Sequence, residues 1–252
     1  MKELNKLRLK DKKYIIFDMD GTLIDSIGIW NRTDQKLIEE YGKINIKLDD
    51  IQVERDLFLH SNQESDIYLA YCEYLILKYG LTIKDAKQLL GIRWDISGEI
   101  LEKEIDFKPN VVELILKLKK LDFTVVLATM STQVQLDIYL RKNEKMLEQM
   151  NIEETFDLII RKEDVQNKKP NPEIYNKIMQ HYNAKPEECL IFEDSYTGVL
   201  AGNNAGVEVV NVYDKYADSD RDKINEISDY KINTYVDFID YINLIALKVS
   251  DQ

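Results

Sequence analysis

The fold of this chain is decided by the stretch Tyr14-Ile15-Ile16-Phe17-Asp18-Met19-Asp20-Gly21-Thr22. Its first part is apolar and rich in β-branched side chains, which predicts a strand over Lys13 to Asp18 that is buried on both faces. Two carboxylates follow at once, and Gly21 permits the chain to turn sharply there. Ligands bind at the carboxyl ends of parallel strands, so this turn is a candidate site.

Similar apolar runs recur along the chain and alternate with helical patterns. Further strands are predicted over Thr124 to Thr129, Asp157 to Ile160, Leu190 to Glu193, Glu208 to Val212 and, as a short sixth strand, Tyr230 to Ile232. Alternation of strands and helices predicts an α/β fold, a doubly wound parallel sheet with helices on both faces.

Several helix ends are readable from the residue types that favour them. Asn110 with Glu113, and Thr82 with Asp85, resemble capping boxes. Asn171 precedes a proline at a predicted first helical position. Ser195 is predicted to cap a helix that Gly206 ends.

The interval between the first and second strands is far too long for one crossover helix, and a structureless loop of that length is improbable. Apolar stripes within it predict helices that end at Gly42 and Gly80, and Gly91 and Gly98 are expected to interrupt the helical region that follows. We therefore predict a helical domain over residues 25–105, inserted into a discontinuous core domain over 1–24 and 106–252.

Composition excludes several functional classes. The chain of 252 residues is 44% hydrophobic, its net charge is −12, and no apolar run approaches the roughly 20 residues of a membrane span. Such an acidic surface repels nucleic acid and anionic lipid. The two histidines are not spaced as zinc ligands. We expect a cytoplasmic protein with a small substrate. We also expect a monomer, since no coiled-coil or interface pattern is present.

The predicted sheet edge gathers carboxylates, one hydroxyl and one ammonium. They come from Asp18, Asp20, Thr129, Lys169, Glu193 and Asp194. Carboxylates alone would repel a phosphate group, but Mg²⁺ takes carboxylate and phosphate oxygens together. The lysine and the hydroxyl can stabilise the remaining phosphoryl oxygens. One carboxylate can attack phosphorus and form an aspartyl-phosphate, while a second acts as acid and base.

Taken singly, most of these residues also have a purely structural interpretation. Thr129 could be an ordinary strand-end residue, Lys169 a loop lysine, and Glu193-Asp194-Ser195 a helix cap. The functional interpretation is favoured because these residues occur in this order at one predicted edge of the sheet.

Three motifs resemble those of the haloacid dehalogenase-like superfamily, in the branch of phosphoglycolate phosphatase and β-phosphoglucomutase. They are Phe17-Asp18-Met19-Asp20-Gly21-Thr22-Leu23-Ile24-Asp25-Ser26, then Lys169-Pro170-Asn171-Pro172-Glu173-Ile174-Tyr175, and Phe192-Glu193-Asp194-Ser195 with Gly198, Ala201, Ala205 and Gly206. The resemblance covers nearly all of the core domain. It implies that residues 25–105 form a helical cap that closes over the site and selects the substrate.

The resemblance implies a role for each matched residue. Asp18 would be the nucleophile and Asp20 the acid/base, with the Asp20 backbone carbonyl on Mg²⁺. Thr129 would bind the phosphoryl group, and Lys169, which directly precedes the proline, would neutralise it. The metal site would be completed by Asp194 and Glu193. At Met130 the family often has asparagine or serine, so only its backbone N–H could bind phosphate.

The carboxylate at position 20 narrows the expected chemistry, because relatives that dehalogenate or cleave phosphonates lack it. The first hypothesis is a phosphatase acting on a small phosphorylated metabolite such as a sugar phosphate. The second is a sugar phosphomutase of the β-phosphoglucomutase type. The third is a catalytically weak binding or regulatory protein that retains the site.

Overall fold

The chain forms two compact units in the computed structural model, which describes residues 4–62 and 66–250. The sheet unit comprises Met1–Ser26 with Ile105–Gln252, and the helical unit comprises Ile27–Glu104. The first three residues of the lysine-rich N-terminus lie outside the described residues. That residues 25–105 act as a cap stays a prediction.

The sheet has six parallel strands in the order β3-β2-β1-β4-β5-β6. Their bounds are Tyr14–Phe17 (β1), Thr124–Ala128 (β2), Leu158–Ile160 (β3), Cys189–Glu193 (β4), Glu208–Val212 (β5) and Tyr230–Ile232 (β6). The predicted doubly wound α/β fold is confirmed, and each strand begins and ends within a residue of its predicted bounds.

The helices also follow in chain order. The helical unit contains Ile29–Leu37 (α1), Leu48–Ser61 (α2), Ile67–Tyr79 (α3) and Ala86–Lys103 (α4). The sheet unit contains Val111–Lys120 (α5), Gln133–Arg141 (α6), Glu144–Gln149 (α7), Ile152–Thr155 (α8), Glu173–Tyr182 (α9), Tyr196–Asn204 (α10), Arg221–Ile227 (α11) and Tyr235–Ser250 (α12). Across the two described stretches, none of these helices has the length and apolar character needed to cross a membrane.

The register of the central strands fixes where the site forms. Phe17 at the end of β1 pairs with Leu127 of β2 and with Phe192 of β4. The backbone N–H of Asp18 donates to the carbonyl of Phe192 at 3.0 Å, so the hydrogen-bond ladder continues to Asp18. Every residue of β4 is buried, and so is every residue of β1 and β2 after the first, as their mainly apolar sequences predict.

Helix ends in the sheet unit follow the sequence in part. The Ser195 hydroxyl accepts from the N–H of Gly198, which confirms it as the cap of α10. The capping box predicted at Asn110 is wrong, because its backbone is left-handed (φ 65°) and its side chain accepts no N–H of α5. Helix α9 begins at Glu173, one residue later than predicted, and Asn171 Oδ1 accepts from the Glu173 N–H at 3.0 Å.

Two predictions in the helical unit are wrong. Asp85 alone caps α4, by accepting from the N–H of Gln88 at 2.7 Å, and Thr82 lies outside the helix start. Helix α4 also continues unbroken through Gly91 and Gly98. A helix tolerates each glycine at a cost of about 1 kcal/mol relative to alanine, and apolar packing along the rest of α4 offsets that cost.

Candidate active site

Lys169 lies between two buried carboxylates. Its Nζ is 2.6 Å from Asp18 Oδ1, 2.6 Å from Glu193 Oε1, and 3.2 Å from the carbonyl oxygen of Ala128. The lysine comes from the loop before α9, whereas the carboxylates end β1 and β4. One ammonium group thus links three segments at the carboxyl edge of the sheet, while Lys168 beside it is exposed.

The two acidic residues at the end of β4 are held in different ways. Glu193 Oε2 accepts from the backbone N–H groups of Asp194 and Ser195 at 3.0 and 3.2 Å and from the Ser195 hydroxyl at 3.1 Å. Asp194 Oδ1 accepts from the hydroxyl of Thr22 at 2.9 Å. Thr22 follows the first acidic turn, so this bond joins the first and last site segments.

Two glycines make room for these carboxylates. A Cβ atom on Gly21 would lie 2.3 Å from Asp194 Oδ2, and the φ of +84° at Gly21 disfavours any other residue. A Cβ atom on Gly198 would lie 1.8 Å from Glu193 Oε1. Gly198 therefore packs close to the end of β4, and the group that needs the space is the Glu193 carboxylate.

Asp18, Glu193 and Asp194 form a cluster that could hold a metal ion. Each offers a carboxylate oxygen, these atoms lie within 4.8 Å of one another, and all three residues are buried. Burial raises the pKa of the Asp18 carboxyl, against the effect of Lys169, and the charge on Glu193 raises it further. Burial, followed by the charges of Glu193 and Asp18, also raises the pKa of the Asp194 carboxyl. Three hard oxygen donors with one ammonium leave an excess of negative charge, so the donor set fits a divalent cation.

Whereas Asp18 contacts the ammonium group of Lys169, the Asp20 carboxylate accepts hydrogen bonds from three hydroxyl groups. The Ser26 hydroxyl donates to Asp20 Oδ1 at 2.6 Å, the Tyr139 hydroxyl lies 3.3 Å from the same oxygen, and the Ser131 hydroxyl donates to Oδ2. Burial, together with the charge of Asp20, raises the pKa of the Tyr139 phenol well above its ordinary value.

The sequence does not predict these three contacts. Ser26 is the last residue of the first motif and is given no role there, and Ser131 lies outside all three motifs. Tyr139 lies in α6 with nothing in its local pattern to single it out. A second hydroxyl two positions after Thr129 was the one readable signal for Ser131.

Thr129 and Met130 lie where the sequence predicts, at the end of β2. The buried Thr129 donates its N–H to the carbonyl of Ile160 at 3.0 Å, and its Oγ1 accepts from the N–H of Ser131 at 2.9 Å. Met130 is half-buried and packs against the apolar core of the sheet unit. A phosphate-binding role for either residue stays a prediction.

The chain is similar to several known proteins. Residues 15–212 match the family described as haloacid dehalogenase-like hydrolase. A phosphorylated carbohydrates phosphatase from Thermotoga maritima is 29% identical over 199 residues, which cover 77% of this chain and 82% of the relative. A pyrophosphatase PpaX from Bacillus thuringiensis (strain Al Hakam) is 27% identical over 198 residues, which cover 79% and 82%.

A solved structure shares the fold. It is a hydrolase of the same family from Deinococcus radiodurans R1, determined with bound phosphate and sodium. The two structures superpose with a TM-score of 0.69 at 20% identity, and the match covers 90% of this chain and 93% of the other. At that identity the likeness concerns the fold alone.

Proposed function

Because the chain belongs to the haloacid dehalogenase-like hydrolase family, we propose that it is a Mg²⁺-dependent phosphatase of small phosphomonoesters. The observation that carries the proposal is the pair of carboxylates in one turn, which differ in their partners. Asp18 contacts an ammonium group beside the acidic cluster, whereas the Asp20 carboxylate accepts hydrogen bonds from three hydroxyl groups. Two aspartates in such different environments suit two different roles.

In the first step a carboxylate oxygen of Asp18 attacks phosphorus, and the bond from phosphorus to the substrate's ester oxygen breaks. Asp20 gives its proton to the departing oxygen, so the alcohol leaves neutral. The product is an aspartyl-phosphate on Asp18. Lys169 stabilises the negative charge that this step concentrates around Asp18.

In the second step water attacks the phosphorus of that intermediate. Asp20, now ionised, accepts a proton from the water, and the bond from phosphorus to Asp18 breaks. Inorganic phosphate is released, and both aspartates return to their starting protonation states. A positioned acid and base of this kind typically contributes about 10²–10⁴-fold to the rate.

The residues that would hold the cation are Asp18, Asp194 and the backbone carbonyl of Asp20, with Glu193 beside them. Both oxygens of Glu193 already accept hydrogen bonds, from Lys169 and from the start of α10. We therefore assign Glu193 to the support of Lys169 and of the metal ligands. When bound, Mg²⁺ supplies positive charge that stabilises the phosphoryl oxygens and the ionised carboxylates.

A phosphorylated sugar is the substrate class that we favour. The Thermotoga maritima relative is named for phosphorylated carbohydrates, and its similarity covers more than three quarters of this chain. A net charge of −12 disfavours large polyanions, whereas Lys169 gives the site a local cation for a small one.

A panel of phosphomonoesters, assayed for released phosphate with Mg²⁺ present, tests the proposal. We expect turnover of one or more sugar phosphates, and loss of that turnover in Asp18→Asn. Full activity in Asp18→Asn would disprove the mechanism. Isomerised sugar phosphate with little free phosphate would indicate a mutase, and inactivity across the whole panel would favour a binding or regulatory protein.

A further inference from the structure

We infer that Ser26, Ser131 and Tyr139 are positioning residues that hold the Asp20 carboxylate in the orientation needed for proton transfer to and from the reacting oxygen. The inference rests on the proposed function, because it assigns Asp20 the role of acid and base. It adds Ser131 and Tyr139 to the residues that the sequence motifs identify, and it gives a role to Ser26, the last residue of the first motif.

The three hydroxyls reach Asp20 from separate parts of the sheet unit. Ser26 follows the acidic turn, Ser131 lies in the loop after β2, and Tyr139 lies on α6, so their chain separations from Asp20 are 6, 111 and 119 residues. All three are buried, with exposed fractions of 3%, 7% and 2%. Burial of three hydroxyls around one half-buried carboxylate is a built arrangement, not a chance surface contact.

The three bonds restrict how the carboxylate can turn. Two hydroxyls donate hydrogen bonds to Oδ1 of Asp20, and one donates to Oδ2. A carboxylate held on both oxygens from separate segments cannot rotate about its terminal bond without breaking a hydrogen bond. Proton transfer requires the donor and acceptor atoms within hydrogen-bond reach, so a fixed orientation raises the rate.

Hydroxyl partners also suit a group that gains and loses a proton in each turnover. A hydroxyl is both a donor and an acceptor, whereas a lysine or arginine can only donate. Ser26, Ser131 and Tyr139 can thus stay bound to Asp20 in both of its protonation states. Lys169 can only donate, and it contacts Asp18, whose carboxylate must remain ionised until it attacks phosphorus.

Leaving-group dependence tests the inference. An alkyl phosphate needs a proton on its departing oxygen, whereas 2,4-dinitrophenolate leaves without one. In Tyr139→Phe and Ser131→Ala we expect kcat/KM for the alkyl ester to fall about 10- to 100-fold. For 2,4-dinitrophenyl phosphate we expect a fall of less than about threefold, since only the acid's contribution is lost. Asp20→Asn should show the same contrast more strongly, and Ser131→Thr, which keeps the hydroxyl, should restore activity on the alkyl ester.

Tyr230→Phe is the matched control. Tyr230 is equally buried and its hydroxyl lies 2.9 Å from Glu208 Oε1, but both residues begin their strands, at the edge of the sheet opposite the site. It should alter neither substrate's kcat/KM. If kcat/KM in Tyr139→Phe and Ser131→Ala falls equally for both esters, or does not fall, the inference is wrong. The proposed function still stands in that case, provided that the wild type is active. A wild type that hydrolyses neither ester would overturn both.

Discussion

The Nζ atom of Lys169 lies 2.6 Å from Oδ1 of Asp18, and the two side chains are only 5% and 11% exposed. The same nitrogen contacts Glu193 and a backbone carbonyl, so it has three acceptors around it. A buried charge pair of this kind is costly to break, because the group that remains has lost both water and partner.

Replacement of Lys169 should therefore affect stability and activity together. Lys169→Met should abolish phosphatase activity and lower the free energy of unfolding by about 3–5 kcal/mol in metal-free buffer, measured by urea denaturation. Lys169→Arg should keep the charge but lose most activity, because a planar guanidinium cannot place one nitrogen among three acceptors. Wild-type activity in Lys169→Arg would show that phosphatase activity does not depend on the exact position of the positive charge.

Gly198→Ala should damage the site through Glu193. The new Cβ would lie 1.8 Å from Glu193 Oε1, so the carboxylate must move away from Lys169. We expect loss of activity and a stability loss of about 1–3 kcal/mol by thermal or urea unfolding. Gly91→Ala is the matched control, since a Cβ there meets nothing within 4 Å inside α4 and should stabilise by about 0.5–1 kcal/mol. Equal behaviour of the two variants would contradict the steric explanation.

The helical unit depends on a buried ion pair. Asp34 Oδ1 and Oδ2 accept from Arg93 Nε and Nη2 at 2.7 and 3.2 Å, and the two side chains are 0% and 3% exposed. Asp34→Asn should lower the free energy of unfolding by about 3–5 kcal/mol in urea denaturation, because Arg93 keeps its charge without a counterion.

Two further variants serve as references for Asp34→Asn. The double change Asp34→Leu with Arg93→Met removes both charges and should cost less than the single change. Glu104→Gln breaks an exposed pair with Lys36 in the same unit and should cost at most about 1 kcal/mol. If Asp34→Asn costs no more than Glu104→Gln, the pair adds nothing that an exposed pair does not.

Asp106 should make stability depend on pH. Burial acts to raise the pKa of its carboxyl, but hydrogen bonds from Lys145, Gln149 and the Phe107 N–H outweigh burial and hold the pKa below its ordinary value. A lowered folded-state pKa stabilises the protein above the unfolded value, about 3.9, and this contribution is lost as pH falls through the folded value.

Asp106→Asn removes that contribution. The melting temperature of the variant should therefore be below that of the wild type at pH 7, and the difference should shrink as the pH falls below about 4. Scanning calorimetry at a series of pH values measures it. A difference that grows toward low pH would mean that the sign of the pKa shift is wrong.

Metal binding should stabilise the sheet unit as well as support turnover. Asp18, Glu193 and Asp194 place three carboxylates together with one ammonium group, so a bound cation relieves their repulsion. We expect Mg²⁺ to raise the melting temperature of the wild type, as any ligand of the folded state does, and EDTA to reverse the rise. In Asp194→Asn the rise should be much smaller. An equal rise in wild type and variant would place the ion elsewhere.

Much of the fold was readable from local sequence. The run Tyr14 to Phe17 is continuously apolar, as a strand buried on both faces requires, and most residues of β2 and β4 follow the same pattern. Ser195 caps α10 as predicted, because capping involves groups only three residues apart. Where local prediction failed, as at Asn110, the left-handed backbone decided the outcome rather than the residue types.

The sequence by itself determined the type of chemistry, because Asp18, Asp20, Lys169 and Asp194 lie in motifs whose order and spacing can be read along the chain. Only the tertiary structure decided which groups these residues contact. The separation of Asp20 from Tyr139 is 119 residues and that of Thr22 from Asp194 is 172. Contacts at such distances depend on how strands and helices pack, and no local pattern records them. The acidic turn is therefore a property of the sequence, while its hydroxyl and ammonium partners are properties of the fold.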